Sequence, residues 1–318
     1  MIHAAMLTAM GLGMLAWRPC RDLEARAPRA AVSMLLLSTA AVWVGSLGLV
    51  VEVITDAAGP AGTLVAACGT VLRDLLTGGL GWWQSSLLLA WVVLLPGRGL
   101  WCVANDVIGS RRLLRRVRKA PAVTPDVEPP AAGAARRPRR LAVLVDDLGT
   151  PAVTVGLLNP VVAVDAAFWA DADPTERSVV LAHEQSHQRG RHGVVDAATR
   201  LLVAGLAPLP FVRHAGDCVR RHLEALADDA AVRRHDPRLV GVTLGQVALA
   251  ARPGHGLGAS GDAVWRVQRL IAPSPTASWR DHAILGASTA TMAGTLVLGA
   301  VDTAGAVPLL LTPSFCPL

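Results

Sequence analysis

The chain has 318 residues, of which 52% are hydrophobic and 17% are charged, and its formal net charge at pH 7 is +6. A soluble globular protein carries about 25% charged residues, so this composition argues against a wholly soluble chain. The apolar residues are concentrated in separate stretches, which favours several membrane spans together with one soluble part of ordinary domain size.

Apolar stretches that approach the roughly 20 residues needed to cross a bilayer occur near both ends of the chain. We predict four spans, at about residues 1–17, 30–51, 80–105 and 283–301. The first stretch has no preceding basic residues, unlike an export signal, so we interpret it as a retained span. The third contains Arg98 after Pro96-Gly97, so it either ends there or continues with a break.

The distribution of arginine and lysine predicts the orientation of these spans. Basic residues are dense between Arg111 and Arg140, whereas the tail after Val301 has none. By the positive-inside rule, residues 109–282 lie in the cytoplasm and both termini lie outside, in a multi-pass protein of a bacterial-type plasma membrane. The basic run suits an anchor on anionic membrane lipid. Because no aromatic residues or groove-reading motif accompany it, we expect no direct nucleic acid binding.

The predicted domain layout follows from these boundaries. We predict an N-terminal membrane region (1–108), a basic juxtamembrane segment with a Pro- and Ala-rich linker (109–140), a soluble domain (141–282), and a C-terminal span with a short tail (283–318). Apolar runs predict one strand within 141–148 and two within 152–165, separated by the turn pair Asn159-Pro160. The edge of such a sheet can bind an extended peptide, although a plain core sheet is the favoured interpretation of these runs.

The segment ADPTERSVVLAHEQSHQRG predicts a helix with defined ends. Asp173 fits the N-cap, Pro174 the first helical position and Glu176 the third, which completes a capping-box pattern. Gly190 is placed to end the helix.

Two histidines four residues apart, His183 and His187, therefore lie on one face of that helix. This is the spacing at which two imidazoles bind one zinc ion, with Glu184 beside them as general base. A catalytic zinc site also needs a third protein ligand and an open position for water.

Glu224 is the predicted third ligand. The other glutamates lie near predicted spans, in the linker or at the helix cap, whereas Glu224 lies in a strongly helical stretch at 219–235. Asp228 follows four residues later on the same face, where a carboxylate can orient a ligating histidine. The alternative for both is a solvated helix face that pairs with Arg220 and Arg221. We expect the remaining nearby histidines to lie on the surface, namely His192, His214 and His222.

The pattern His183-Glu184-x-x-His187 followed by Glu224-x-x-x-Asp228 resembles the BlaR/MecR-type integral-membrane zinc metallopeptidases. These are related to the heat-shock and prenyl-processing membrane zinc proteases. Two departures stand out. We expect no extracellular antibiotic-sensor domain, and LAPLPFV at 206–212 replaces the Trp-x-Asn-Pro stretch of many relatives.

The resemblance implies an α-helical membrane protein with about four transmembrane helices. Its cytoplasmic part would be a mainly α zincin-like metallopeptidase domain with a small β-sheet. The Arg/Asp element of the family is matched by Arg191 and Asp196, which implies a supporting role for Asp196 behind the zinc ligands.

The activity implied is that of a zinc-dependent endopeptidase that cleaves a cytoplasmic or membrane-proximal protein or peptide. One candidate substrate is a winged-helix transcriptional repressor in a signalling pathway, and a relaxed quality-control protease fits equally well. The competing hypothesis is a catalytically silent membrane signalling or interaction module with the same fold. Such a module would be expected to lose the base, whereas Glu184 is present.

Overall fold

The computed structural model describes residues 8–13, 26–58, 94–119, 122–123, 142–206, 209–250, 261–271, 278–284, 286–294 and 297. Across these residues the chain is mainly helical and contains one small sheet, as predicted. The predicted spans at 1–17, 80–105 and 283–301 lie partly outside the described residues.

The described residues include eight helices and four strands with the bounds given next, and residues 8–13, 279–284 and 286–294 are also helical. The helices are α1 (Pro28–Ala58), α2 (Leu95–Lys119), α3 (Ala166–Asp171), α4 (Pro174–Gly190), α5 (His192–Gly205), α6 (Pro210–Val232), α7 (Pro237–Ala250) and α8 (Gly261–Ile271). The strands are β1 (Ala122–Val123), β2 (Ala142–Val145), β3 (Ala152–Val155) and β4 (Val161–Asp165).

The sheet has the order β1-β2-β4-β3, so β3 forms one of its edges. Strands β3 and β4 are antiparallel around the predicted turn, with Val155 opposite Val161, while β2 and β4 are parallel. The strand predicted within 141–148 ends at Val145, because a turn with Asp147 in the left-handed region follows it. The inner strand β4 is buried against α4 through Val162, Val164 and Val180, which fixes the sheet beside that helix.

Helix α4 begins as its capping residues predict. The Asp173 carboxylate accepts hydrogen bonds from the backbone N–H groups of Thr175 and Glu176, and the Glu176 carboxylate accepts one from the Asp173 N–H. The helix ends at Gly190, and Arg191 then adopts a left-handed conformation with φ 51°. This single residue separates α4 from α5, so the chain turns sharply between the two helices.

One helix among the described residues, α1, is long and apolar enough to cross a membrane, over Pro28–Ser46. It overlaps the predicted span at 30–51, and all four spans stay predictions. Helix α1 packs against α6 in a cluster that includes Leu35, Val42 and Val219. The helix best suited to a membrane is therefore in direct contact with the helix that carries Glu224.

Helix α2 passes through residue 108, where we predicted that the membrane region ends. It packs along α5, and the contact is close at Gly99 because a Cβ atom there would lie 2.7 Å from the carbonyl oxygen of Leu201. The first half of α2 thus packs closely against α5, the helix that follows the His-Glu-x-x-His motif.

Candidate metal centre

The three predicted metal ligands converge between α4 and α6. His183 Nε2 lies 3.4 Å from Glu224 Oε2, His187 Nε2 lies 3.4 Å from Glu224 Oε1, and the two Nε2 atoms are 3.2 Å apart. All three residues are buried, and their ligand atoms lie within 4.8 Å of one another. Two imidazoles and a carboxylate at these distances form a donor set that can hold one metal ion.

Asp228 lies directly behind His183. Its Oδ1 is 3.1 Å from His183 Nδ1, an ion-pair contact rather than a well-aligned hydrogen bond. Asp228 is 1% exposed and Glu224 is 9% exposed, so the alternative of a solvated helix face is wrong for both. Arg220 pairs instead with Asp217 on the surface.

Arg266 of α8 joins the two carboxylates, and we did not predict it. Its Nε and one terminal nitrogen donate to the two oxygens of Asp228 at 2.8 and 2.6 Å, and its other terminal nitrogen lies 2.8 Å from Glu224 Oε2. Burial raises the pKa of Glu224, but His187, Arg266 and His183 outweigh burial and hold that pKa well below its usual range. The pKa of Asp228 is lowered against burial in the same way, mainly by Arg266.

The two ligand histidines differ in their affinity for protons. Burial lowers the pKa of His183, but the contacts with Asp228 and Glu224 outweigh burial and raise that pKa to about 9. For His187, burial dominates and lowers the pKa to about 4. A cation that binds here would displace the proton of His183, because a ligating nitrogen must offer its lone pair.

Glu184 is anchored to the edge strand. The Thr154 hydroxyl lies 2.7 Å from Glu184 Oε2 and 2.9 Å from the Glu184 carbonyl oxygen, and it can donate to either acceptor. Burial raises the pKa of the Glu184 carboxyl. A carboxylate that takes up protons more readily suits a general base at neutral pH.

A cavity of about 440 Å³ opens onto these side chains. Strand β3 forms one wall of the cavity, and α2 forms another with Val103, Val107 and Leu113. The donor group and Glu184 lie on a third side. All four residues of β3 line the cavity, and β3 is an edge strand of the sheet in the described part of the chain. The cavity therefore lies beside a sheet edge.

The described contacts of Asp196 and Arg191 are with neighbouring helices and turns, and the supporting role of Asp196 stays a prediction. Asp196 lines the cavity, but its described contacts are with Arg200, at 2.8 and 2.7 Å. Arg200 also lies 2.8 Å from Asp106 of α2, so this triad ties α5 to α2. Arg191 is the turn residue between α4 and α5.

Two of the three histidines predicted to lie on the surface are buried, so that prediction is wrong for His192 and His222. His214 is exposed, as expected. The left-handed turn at Arg191 brings His192 back onto α4, where its Nδ1 lies 2.9 Å from His187 Nδ1. The available signal in the sequence was a histidine five residues after His187, with Gly190 between them.

Comparisons of the chain with protein-family models, with curated proteins and with solved structures gave no match. The resemblance to BlaR/MecR-type metallopeptidases therefore rests on the motif residues themselves. The donor group of His183, His187 and Glu224, with the side chains that hold it in place, is the feature of the molecule that bears most directly on its function.

Proposed function

We propose that the protein is a membrane-embedded zinc-dependent endopeptidase of the BlaR/MecR type. The observation that carries this proposal is the buried group of His183, His187 and Glu224, with Glu184 adjacent on the same helix. Catalytic zinc sites use three protein ligands of this kind and leave one position open. Here the donor group borders the cavity, so a substrate can reach that position.

The chemistry divides between the ion and the side chains around it. Bound zinc would polarise the scissile carbonyl and lower the pKa of a water molecule. Glu184 would accept a proton from that water as its oxygen adds to the carbonyl carbon, and would pass the proton to the leaving amine. If Thr154 donates to Glu184 Oε2, the other oxygen of that carboxylate, Oε1, would carry the proton taken from water. Arg266 keeps both buried carboxylates ionised and in place.

The cavity supports an extended peptide as substrate. A peptide that pairs with the edge of β3 would cross the metal-binding group and place one of its carbonyls beside Glu184. Edge pairing satisfies the peptide backbone and leaves alternate side chains to set specificity.

The surface of α2 supports a membrane location and therefore a cytoplasmic or membrane-proximal substrate. Its first half exposes Leu100 and Trp101, of which Trp101 is 67% exposed. Its second half exposes arginines, beginning with Arg111 and Arg112. An apolar and aromatic segment followed by basic residues is typical of a helix that enters the interface of a membrane on its cytoplasmic side.

The proposal is tested by the zinc content of the purified full-length protein. We expect about one zinc ion per chain in the wild type and a large loss in Glu224→Ala, because a catalytic zinc site needs all three protein ligands. Asp217→Ala is the matched control, since Asp217 is an exposed acidic residue of the same helix and should leave the zinc content unchanged. A folded wild-type protein that takes up no zinc would contradict the proposal.

Thr154→Val should lower kcat about threefold to tenfold and leave the zinc content unchanged. The substitution keeps the shape of the side chain but removes the hydroxyl that donates to Glu184, and one such hydrogen bond contributes about 1 kcal/mol. Peptidase kinetics on the zinc-loaded protein would measure this effect. Thr154→Ser retains the hydroxyl and should keep most of the rate. An unchanged kcat in Thr154→Val would show that Glu184 does not depend on this anchor.

A further inference from the structure

His192 is buried against His187, a proposed metal ligand, on the Nδ1 side of the His187 ring. It is the first residue of α5 and is 8% exposed. Its ring lies nearly perpendicular to that of His187, with the ring centroids 4.8 Å apart and an interplanar angle of 88°. The two Nδ1 atoms are 2.9 Å apart, which is a hydrogen-bond distance.

This contact determines which nitrogen of His187 can carry a proton. His187 Nε2 faces His183 and Glu224, so it must keep its lone pair if it is to bind a cation. The proton of a neutral His187 then lies on Nδ1 and can be donated to His192 Nδ1. We infer that His192 is a positioning residue that holds His187 in the metal-binding tautomer and ring orientation. This inference rests on the proposed function.

The arrangement mirrors the other ligand histidine. Asp228 Oδ1 lies 3.1 Å from His183 Nδ1, so each histidine meets one partner at the nitrogen that faces away from the donor group. Such partners fix the orientation of a ligating imidazole and raise its basicity. His192 is therefore the counterpart of Asp228, a role that the motif resemblance had suggested for Asp196.

His192 is placed behind the site and is not a fourth ligand. Its Nδ1 meets His187 Nδ1, whereas the donor group is formed by the Nε2 atoms and Glu224. The left-handed turn at Arg191 directs the ring there. Gly190 leaves room for it, because a Cβ atom at that position would overlap the imidazole and would lie 2.6 Å from its Cδ2. The contact between His192 and His187 thus requires a left-handed residue at position 191 and a glycine at position 190.

The test is the zinc dissociation constant of the full-length protein, measured by competition with a chromophoric chelator. His192→Leu fills the space but cannot accept a hydrogen bond, and we expect about 10- to 100-fold weaker zinc binding. His192→Asn places an amide oxygen near the position of Nδ1 and should bind zinc within about threefold of the wild type. Gly190→Ala retains His192 but displaces its ring, so it should weaken binding as His192→Leu does. Asp217→Asn, at an exposed acidic residue of α6, is the control and should match the wild type.

The outcomes separate this inference from the proposed function. A wild-type protein that binds no zinc overturns the proposed function. A wild-type protein that binds zinc, with equal affinity in His192→Leu, overturns the positioning role alone. Equal weakening in His192→Asn and His192→Leu overturns the hydrogen-bond mechanism. If His192→Leu fails to fold, as judged by circular dichroism, the comparison of Gly190→Ala with His192→Asn decides the question.

Discussion

Glu184→Gln should leave zinc bound and reduce kcat by a factor of roughly 10²–10⁴, the usual contribution of a general base. Glutamine has nearly the same shape as glutamate, and its amide oxygen can still accept the hydrogen bond from Thr154. It cannot take up a proton from water. Because Glu184 lies outside the group of three metal ligands, its replacement should not alter the zinc content.

The measurement combines zinc analysis with peptidase kinetics on the same preparation. Glu176→Gln is a suitable control, since Glu176 is a glutamate of the same helix whose contact is with the N-cap. It should lower stability slightly and leave kcat unchanged. If Glu184→Gln cleaved peptides as fast as the wild type, the proton would have to pass through another group. A zinc-loaded wild type without any peptidase activity would favour the silent signalling module.

Arg266→Met should lower the free energy of unfolding by about 3–5 kcal/mol, because removing one partner of a buried ion pair leaves an uncompensated charge. The side chain of Arg266 is 15% exposed, and its partners Glu224 and Asp228 are buried even more deeply. Methionine replaces the length of the side chain but neutralises neither carboxylate. Excess zinc should reduce the loss, since a bound cation stabilises the folded state and compensates the charge of Glu224.

Denaturant titration of the detergent-solubilised protein, followed by tryptophan fluorescence with and without a chelator, would measure this effect. Arg269→Met is the matched control on the same helix. Arg269 pairs with Asp229, whose side chain is 36% exposed, so its loss should amount to about 1 kcal/mol or less. Equal losses in the two variants would mean that the carboxylates near the metal centre do not depend on Arg266.

Local signals account for the part of the site that could be predicted. The capping box of Asp173 and Glu176 fixes the start of α4, and the helical period then places His183 and His187 on one face. Glu224 was predicted as a ligand because a zinc site requires a third ligand and no other glutamate was well placed. Asp228 followed from its spacing to Glu224, and its contact with His183 agrees with that role.

The residues that were missed act through tertiary contacts. Arg266 lies 38 residues after Asp228. The sequence around Arg266 does not indicate that it pairs with the buried carboxylates of Glu224 and Asp228. Thr154 contacts Glu184 only because the antiparallel pair of β3 and β4 is packed beside α4. His192 was assigned to the surface because the effect of one left-handed residue, Arg191, on the chain direction cannot be derived from periodicity.

The position of Arg266 along the chain also bears on when the candidate metal centre can fold during translation. Glu224 and Asp228 are synthesised before the arginine that joins them, which is 38 residues beyond Asp228. Until α8 emerges, the two carboxylates would have to stay hydrated or protonated, since burying them without a cation is strongly unfavourable. We therefore expect the packing of α4 on α6 to be completed only after α8 has been translated. A nascent chain that has not reached this helix would carry the motif but not a finished site.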